Sequence, residues 1–395
     1  MSRIPNTFVT LQKKTKISYM IRLNSLHINR LKWRHWVLLV LLSLITLTKL
    51  IPLWGFIYTT RIYPIIGSLL SPISGLFPFA VGDIFIALSI VPIYEIKWRK
   101  QLAKRFFFLA AKRGCYPKKK VVFGRVAEYL LWVYAWFYIA WGLNYSQPNI
   151  YCRTGMKPVE VSEAKFREFA YRYADSINSL SEEFNGMVDD GLKNRVRDAV
   201  LKGYNEIGAK EGINAPFNQH PHAKTMLFTP LSSMSGVTGS MGPFFCEFTL
   251  NGDIRPHDYP AIYAHEFAHL LGIANEGEAN FYSYIVCTAS SDKAVKFSGY
   301  YHIFFHVLRN VFDILGEKEG EKFLKYIRPE IIQLARSDRQ YWISKRCKAL
   351  DAAQDFIFDL YLRGNHVAEG RKSYSGVVAL ILAWESRHAK RPFDG

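Results

Sequence analysis

Two histidines and a glutamate in residues 265–269, HEFAH, have the types and spacing of a metal site. In an α-helix, residues four apart lie on one face, so His265 and His269 can direct both imidazoles at one ion. Glu266 lies beside that face, where it can take a proton from an attacking water without binding the metal. The pattern predicts a catalytic zinc site. The alternative interpretation is an amphipathic helix that carries two ordinary buried histidines.

A third ligand is expected on the helix that follows. Gly272 can end the first helix in a left-handed cap, and a second helix then begins near Asn275 and includes EGEANFYSYIVCTA. A His six positions after the second His is typical of metzincin peptidases, but Asn275, a poor zinc ligand, occupies that position. Glu276 and Glu278 remain. Either one completes a set of two His and one Glu that leaves the fourth position open, as catalytic zinc requires.

The order HEFAH and then NEGEAN resembles the gluzincin peptidases, in which a Glu four residues before an Asp or Asn is the third ligand. Matched residue by residue, this resemblance implies Zn²⁺ as the cofactor and Glu276 as the ligand, with Glu278 as the alternative. It also implies that Asn280 takes the place of the acid that orients a ligand histidine. Nearly the whole chain also resembles a family of bacterial membrane proteins of unknown function, found mainly in the Bacteroidetes. The shared motifs are GSMGPFFCEFTLN, HExxHxxG, ExEANF and SYSGVV.

Other polar residues are candidates for supporting roles. A tetrahedral intermediate needs a donor that stabilises its oxyanion, and we predict Tyr374 in SYSGVV for this role, with His366 as the alternative. His220 and His222 lie in a polar loop and are predicted to face solvent. The segment GPFFCEFTLNG is a candidate to pair with an extended substrate backbone, with a plain core strand as an equal alternative. Glu247 within it is interpreted as a surface or capped residue, with contact to a substrate amine or orientation of a neighbour as the alternative.

The basic excess of the chain lies in its first 150 residues. They contain 21 Lys and Arg against three acidic residues, which accounts for the whole formal charge of +18, while residues 151–395 contain equal numbers of each sign. A nucleic-acid-binding protein is expected to carry its positive charge on the folded domain that meets the phosphates. The neutral C-terminal part therefore argues against nucleic acid as a partner.

Three apolar stretches predict transmembrane helices at about 36–54, 76–94 and 127–143. The basic segments 1–35 and 96–126 are expected to stay in the cytoplasm. The first stretch is interpreted as a retained anchor, because its apolar run and basic leader are long and no small-residue cleavage site follows. Three crossings predict a multi-pass inner-membrane protein whose C-terminal domain is periplasmic.

The fold class predicted is mainly α (α+β), with a membrane domain over 1–145 and an extracytoplasmic, zincin-like domain over 146–395. Apolar residues three and four apart predict two amphipathic helices over 161–209. The runs KTMLFTP and PFFCEFTLNGDI predict strands of a small sheet just before HEFAH. Four cysteines of the outer domain are able to pair, and a fifth, Cys115, lies in a cytoplasmic loop: Cys152, Cys246, Cys287 and Cys347.

These observations predict a membrane-anchored zinc peptidase that acts on a peptide or protein substrate. The predicted metal ligands are His265, His269 and Glu276, and the predicted catalytic residues are Glu266 and Tyr374. No GxSxG nucleophile motif is present, so no covalent intermediate is expected. The alternative is a catalytically degenerate zincin-fold protein that binds a peptide or an envelope partner. Intramembrane proteolysis is disfavoured, because charges flank the HEFAH helix and are costly within a bilayer.

Overall fold

The described part of the chain is mainly helical, with one small sheet. The computed structural model describes residues 32–89, 119–160, 162–180, 188–219, 221, 223–347 and 376–389. Its α-helices are α1 Trp33–Leu50, α2 Pro52–Ile57, α3 Tyr63–Gly75, α4 Lys119–Ala140, α5 Ile150–Thr154, α6 Glu163–Ser179, α7 Asp190–Ile207, α8 Thr229–Met234, α9 Tyr259–Leu270, α10 Glu276–Ala289, α11 Lys293–Leu315, α12 Glu317–Tyr326, α13 Pro329–Lys345 and α14 Val377–Ala389. The strands are β1 Lys224–Thr225, β2 Gly239–Gly242 and β3 Glu247–Leu250.

The helices of the N-terminal part differ from the predicted spans in their boundaries. The first helix, α1, ends before Pro52, because the residue that precedes a proline is pushed into an extended conformation. Residues 55–75, which lie between the first two predicted spans, are also helical, with one π-helical turn at Tyr58–Ile62. The stretch 76–94 is not one helix: residues 76–80 form a turn that contains a proline, and residues 81–89 are helical. Its last residues lie outside the described part.

The helices of the N-terminal part expose apolar side chains. Among the described residues, α1 is the one helix that is long and apolar enough to cross a membrane, and little of it is buried. Most of the large exposed apolar side chains in the described part lie between Trp33 and Trp136. We call this set of exposed side chains the apolar belt. Exposed apolar area of this extent marks a surface that meets a membrane or another protein.

The apolar belt helices share a core with the rest of the chain. One contiguous cluster of buried side chains includes Leu38 and Tyr63 from the N-terminal part and extends to Ile381 in α14. A buried ion pair between Lys224 and Glu247, whose Nζ and Oε2 atoms are 2.6 Å apart, also links the N-terminal part to the rest of the chain. Its Lys donates to the carbonyl of residue 74, and its Glu accepts from the amide of residue 82. The predicted boundary at residues 145/146 therefore crosses a continuous core.

The small sheet has the strand order β1-β3-β2, with β1 parallel and β2 antiparallel to the central strand β3. The first and third strands lie within the two predicted runs. The second strand was not predicted, because three of its four residues are small, Gly-Ser-Met-Gly, and its pattern does not alternate. The PFFC portion of the predicted run is instead the turn that joins β2 to β3, with Cys246 at a positive φ of 47°. The four cysteines of the predicted outer domain, Cys152, Cys246, Cys287 and Cys347, are free.

Candidate metal centre

Two consecutive helices, α9 and α10, position the HEFAH and NEGEAN residues. Helix α9 is buried on almost every side. It ends as the sequence predicts, with Gly272 at a positive φ of 98° that glycine adopts without strain. The following helix begins at Glu276, because the side chain of Asn275 caps it by accepting from the amide of Glu278 at 3.0 Å. The short connection holds the end of α9 against the start of α10.

Three side-chain atoms from these helices converge on one point. The Nε2 atoms of His265 and His269 are 3.1 Å apart. One carboxylate oxygen of Glu276, Oε2, lies 3.1 Å from Nε2 of His265 and 3.5 Å from Nε2 of His269. The geometry therefore brings together the three residues that the sequence analysis proposed as ligands.

The remaining ring nitrogens are engaged by fixed acceptors. Nδ1 of His269 donates to the carbonyl of Ile273 at 2.6 Å, and Nδ1 of His265 donates to Oδ1 of Asn280 at 2.8 Å. Because each neutral imidazole carries one proton, both Nε2 atoms present lone pairs to the point of convergence. This is the arrangement that a metal ligand requires, with the second nitrogen held by an outer partner.

The distances fit a four-coordinate ion. Ligand atoms about 2.0–2.2 Å from Zn²⁺ at tetrahedral angles lie roughly 3.3–3.6 Å from one another. The three observed separations, from 3.1 to 3.5 Å, are close to that range. Two lone pairs and a carboxylate at such distances repel each other unless a proton or a cation lies between them. The donor set of two imidazoles and one carboxylate suits Zn²⁺ and leaves a fourth position free.

The charges of the site show its preference for a cation. Burial lowers the pKa of His269, but the neighbouring carboxylate of Glu276 overcomes this and raises it to about 9. Burial raises the pKa of Glu276, and the two imidazoles reverse this and hold it well below its usual range. A positive charge between these groups is therefore stabilised in the folded protein.

Glu266 lies next to this group but outside it. Its side chain is buried, and burial raises its pKa. No donor among the described residues forms a hydrogen bond with its carboxylate. A Cβ atom added to Gly239 in β2 would lie 2.3 Å from Oε1 of Glu266, so only glycine leaves room for this carboxylate. A desolvated carboxylate with a raised pKa is suited to accept a proton.

Glu278, the alternative third ligand, points in another direction. Its Oε2 accepts from Nη2 of Arg153 at 2.6 Å, and its Oε1 accepts from the amide of Ile150 at 2.9 Å. Both partners of this ion pair are buried, with 3% of the Arg side chain and 8% of the Glu side chain exposed. The structure therefore favours Glu276 over Glu278 as the third ligand.

A cleft of about 850 Å³ opens onto the convergent atoms. One wall is formed by β2, the edge strand of the sheet. The backbone amide of Asn251 donates to the carbonyl of Thr238, so the backbone of Thr238 faces β3. Successive residues of an antiparallel strand direct their backbone N–H and C=O groups alternately toward and away from the neighbouring strand. The backbone groups of Gly239 and Met241 therefore face away from the sheet. The cleft is also lined by aromatic residues of α4 and the turn after it, Phe137, Trp141 and Tyr145.

The structure adds residues to the site that sequence reasoning missed. His302 and His306, four residues apart on α11, also line the cleft. Nε2 of His302 donates to the same Asn280 oxygen that accepts from His265, at 2.9 Å. Burial lowers the pKa of His302 to about 3, so this ring is neutral. The spacing YYHIFFHV carries the same signal of two histidines four apart as HEFAH and was available in the sequence.

Other predicted residues lie elsewhere or outside the described part. Glu247, which was predicted to be a surface or capped residue, does not lie at the surface. Its alternative roles, contact with a substrate amine or orientation of a neighbour, stay predictions. This side chain is buried on the central strand in its ion pair with Lys224, away from the cleft, because β3 packs between β1 and β2. The candidate oxyanion donors and the two loop histidines lie outside the described residues: Tyr374, His366, His220 and His222.

A second group of possible ligands, His257, Asp258 and Asp338, differs from the first. The Asp338 carboxylate already accepts from Arg255, Tyr301 and His257. A guanidinium at hydrogen-bond distance supplies the positive charge that a metal would bring. Burial raises the pKa of Asp258 to about 6. We interpret this group as an internal ion-pair network that joins α13 to the start of α9.

Comparison with known proteins places the chain in one family. A family model described as "Protein of unknown function (DUF3810)" matches residues 58–382. The matched range includes the convergent group, the cleft and the helices that build them. No curated protein and no solved structure matches the chain.

Proposed function

This chain belongs to the DUF3810 family of proteins of unknown function, and we propose that it is a membrane-anchored, zinc-dependent peptidase. The observation that carries the proposal is the convergence of three candidate ligand atoms, the Nε2 atoms of His265 and His269 and Oε2 of Glu276. Beside them lies the buried carboxylate of Glu266, which has no hydrogen-bond donor among the described residues. Resemblance of the two motifs to gluzincin peptidases supports the same reaction class. The substrate we propose is a peptide or protein.

Zn²⁺ held by these three residues would polarise the scissile carbonyl and make water acidic enough to attack it near neutral pH. The protein's own residues do the remaining work. Glu266 accepts the proton of the attacking water and passes it to the leaving amine, which its raised pKa favours. Asn280 and Ile273 keep each ligand imidazole in the tautomer that presents Nε2.

The edge strand β2 supplies a place for the substrate backbone. The outward amide and carbonyl groups of Gly239 and Met241 line the cleft and can pair with an extended peptide. The segment GPFFCEFTLNG was a sequence candidate for this role, but its strand β3 is the central strand and both of its edges are occupied. Stabilisation of the oxyanion by Tyr374 stays a prediction.

A multi-pass arrangement in the inner membrane, with the cleft on the periplasmic side, completes the proposal. Support comes from the apolar belt, from the basic segments 1–35 and 96–126, and from a salt bridge between Arg34 and Glu128 at 2.8 Å near the start of α1. The absence of nucleic acid among the partners also stays a prediction.

Metal content tests the ligand set. The full-length protein, purified in detergent and dialysed against buffered zinc, is expected to bind one Zn²⁺ per chain. A Glu276→Gln or His269→Ala variant is expected to lose at least about 100-fold in zinc affinity, because each removes a direct ligand. The matched controls are Glu278→Gln and His306→Ala, which remove neighbouring groups of the same type.

Both control variants are expected to bind zinc as the wild type does, measured per folded chain. If Glu278→Gln loses zinc and Glu276→Gln retains it, the ligand assignment is wrong. If the wild-type chain binds no zinc under these conditions, the peptidase proposal fails with it.

A Gly239→Ala variant tests the position of the general base. The added methyl group would occupy the space of the Glu266 carboxylate and displace it by about 1 Å, which can lower a rate by about 100-fold. Zinc content is expected to be unchanged. The control is Gly124→Ala in α4, where an added Cβ meets no atom within 4 Å. Equal peptide hydrolysis by wild type and Gly239→Ala would show that Glu266 does not act from its observed position.

A further inference from the structure

We infer that the cleft receives its substrate from the membrane: the polypeptide that enters it is anchored in the same bilayer and is cut close to its membrane segment. This inference rests on the proposed peptidase activity and adds the substrate class. Four features of the structure carry it.

The first feature is that one helix faces both the apolar belt and the cleft. Phe137 on α4 and Trp141 and Tyr145 after its end line the cleft at intervals of four residues. Leu130 and Tyr134 on the same helix are exposed members of the apolar belt. Residues at i, i+4 and i+7 share one face of a helix, so Leu130, Tyr134 and Phe137 form one stripe of α4. The stripe that we assign to lipid therefore continues into the wall of the cleft. A segment that leaves the bilayer beside α4 is adjacent to the cleft.

The second feature is the direct attachment of the metal-ligand helix to the apolar belt helices. The indole Nε1 of Trp141 donates to the carbonyl of His269 at 2.9 Å. The hydroxyl of Tyr63 donates to the carbonyl of Leu270 at 2.6 Å, and the amide of Gln147 to the carbonyl of Gly272 at 2.6 Å. These donors bind carbonyls of the last turn of α9 and of the cap that follows it. The site is thus held at a constant height above the bilayer.

The third feature is the height of the site above the bilayer. The Arg34–Glu128 salt bridge joins the start of α1 to the middle of α4 at a polar level. Lys49 at the end of α1 lies about 22 Å further along the helix axis, and its Nζ is 3.3 Å from the hydroxyl of Tyr138. With their long side chains extended to either side, Arg34 and Lys49 span roughly the 30 Å of a hydrocarbon core. Trp141, beside the ligand His269, follows within one turn of Tyr138. The site therefore lies just above the outer boundary of the bilayer.

The fourth feature is the aromatic rim of the cleft. The indole Nε1 of Trp136, an exposed member of the apolar belt, donates to the carbonyl of Phe244 at 3.0 Å. Phe244 contacts Phe85 with ring centroids 4.9 Å apart. Pro243 in the same turn lines the cleft. Aromatic side chains favour the membrane–water boundary, so this turn places the mouth of the cleft at that boundary.

Cleavage of anchored and free probes tests the inference. The full-length protein is reconstituted in phosphatidylcholine/phosphatidylglycerol vesicles with three probes. The first is a synthetic transmembrane helix followed by a randomised twelve-residue segment, and the second is that segment without the anchor. The third carries a rigid 20-residue helical spacer, about 30 Å long, between the anchor and the segment. Mass spectrometry locates each cut, and Glu266→Gln protein provides the background.

We expect the segment beside the anchor to be cut at least 100-fold faster than the free segment. The spacer is expected to reduce cutting of the segment at least 10-fold, although the probe is still concentrated on the membrane. Equal cutting with and without the spacer, or equal cutting of the free segment, overturns the inference and leaves the peptidase proposal intact. Absence of any cut that depends on Glu266 overturns the peptidase proposal and this inference with it.

The height of the cleft has a test that does not depend on activity. A nitroxide label at Met241→Cys, on the cleft wall, reports its depth through collisions with oxygen and with a water-soluble nickel complex. The background carries Ser in place of Cys115, Cys152 and Cys347, and a label at Leu130→Cys in the apolar belt is the embedded control. We expect the Met241 label within about one helical turn, 5 Å, of the phosphate level. A label far out in water, with collision rates like those of a soluble protein, overturns the inference.

Discussion

A Glu266→Gln variant is expected to lose peptide hydrolysis by about 10³–10⁴-fold while it still binds one zinc ion per chain. The carboxamide has the shape of the carboxylate but cannot accept the proton of the attacking water. Because Glu266 is not one of the three convergent ligands, the metal site is expected to survive the change. The measurement compares zinc content with the appearance of new N-termini in membranes of cells that produce either protein.

An exposed residue provides the control for this variant. Glu330→Gln on α13 changes the same functional group, and this variant is expected to hydrolyse peptides at the wild-type rate. A Glu266→Gln protein that cuts at the wild-type rate would contradict the assignment of the general base. A wild-type chain that binds zinc and generates no new N-termini would instead favour the alternative, a degenerate zincin-fold protein that binds a peptide or envelope partner.

An Arg153→Met variant is expected to lose about 3–5 kcal/mol of unfolding free energy, because it leaves the carboxylate of Glu278 buried without its charged partner. Arg153 also donates to the carbonyls of Gly212 and Pro148, at 2.9 and 2.7 Å. Its loss therefore releases contacts among α5, the start of α10 and the turn after α7. Thermal or denaturant unfolding in detergent measures the change.

Two further variants give this prediction its controls. Arg172→Met removes an exposed guanidinium that pairs with Glu385, and it is expected to cost less than about 1 kcal/mol. The double variant Arg153→Met/Glu278→Gln is expected to recover part of the lost stability, since no unpaired buried charge remains. An Arg153→Met protein that unfolds at the wild-type midpoint would show that this ion pair is not buried in the folded chain.

Local sequence signals were sufficient to predict the positions and boundaries of α9 and α10. The spacing of His265 and His269 places both on one face of a helix, and this relation holds whatever packs around it. Gly272 and Asn275 mark where one helix ends and the next begins, because a left-handed cap and an N-cap depend on single residues. The structure confirms both boundaries to within one residue.

Residues distant in the sequence decided the rest of the site. Local spacing left Glu276 and Glu278 equally placed, and the choice follows from Arg153, which lies more than one hundred residues earlier and engages Glu278. The order of the strands likewise decided that β2, a short run of small residues, borders the cleft in place of β3. No local sequence pattern predicts the pairing of Arg153 with Glu278 or the order of the strands.

The N-terminal part shows the same division between local and distant information. Apolar length by itself determined that α1 is able to cross a membrane, since a helix of 18 residues needs only its own composition for that. Tertiary contacts alone decided that Trp141 and Tyr63 of the same part bind the end of α9. The sequence thus determined which residues are candidate metal ligands and on which helices they lie. Only the folded chain decided which carboxylate meets them, because that choice depends on partners brought together by packing.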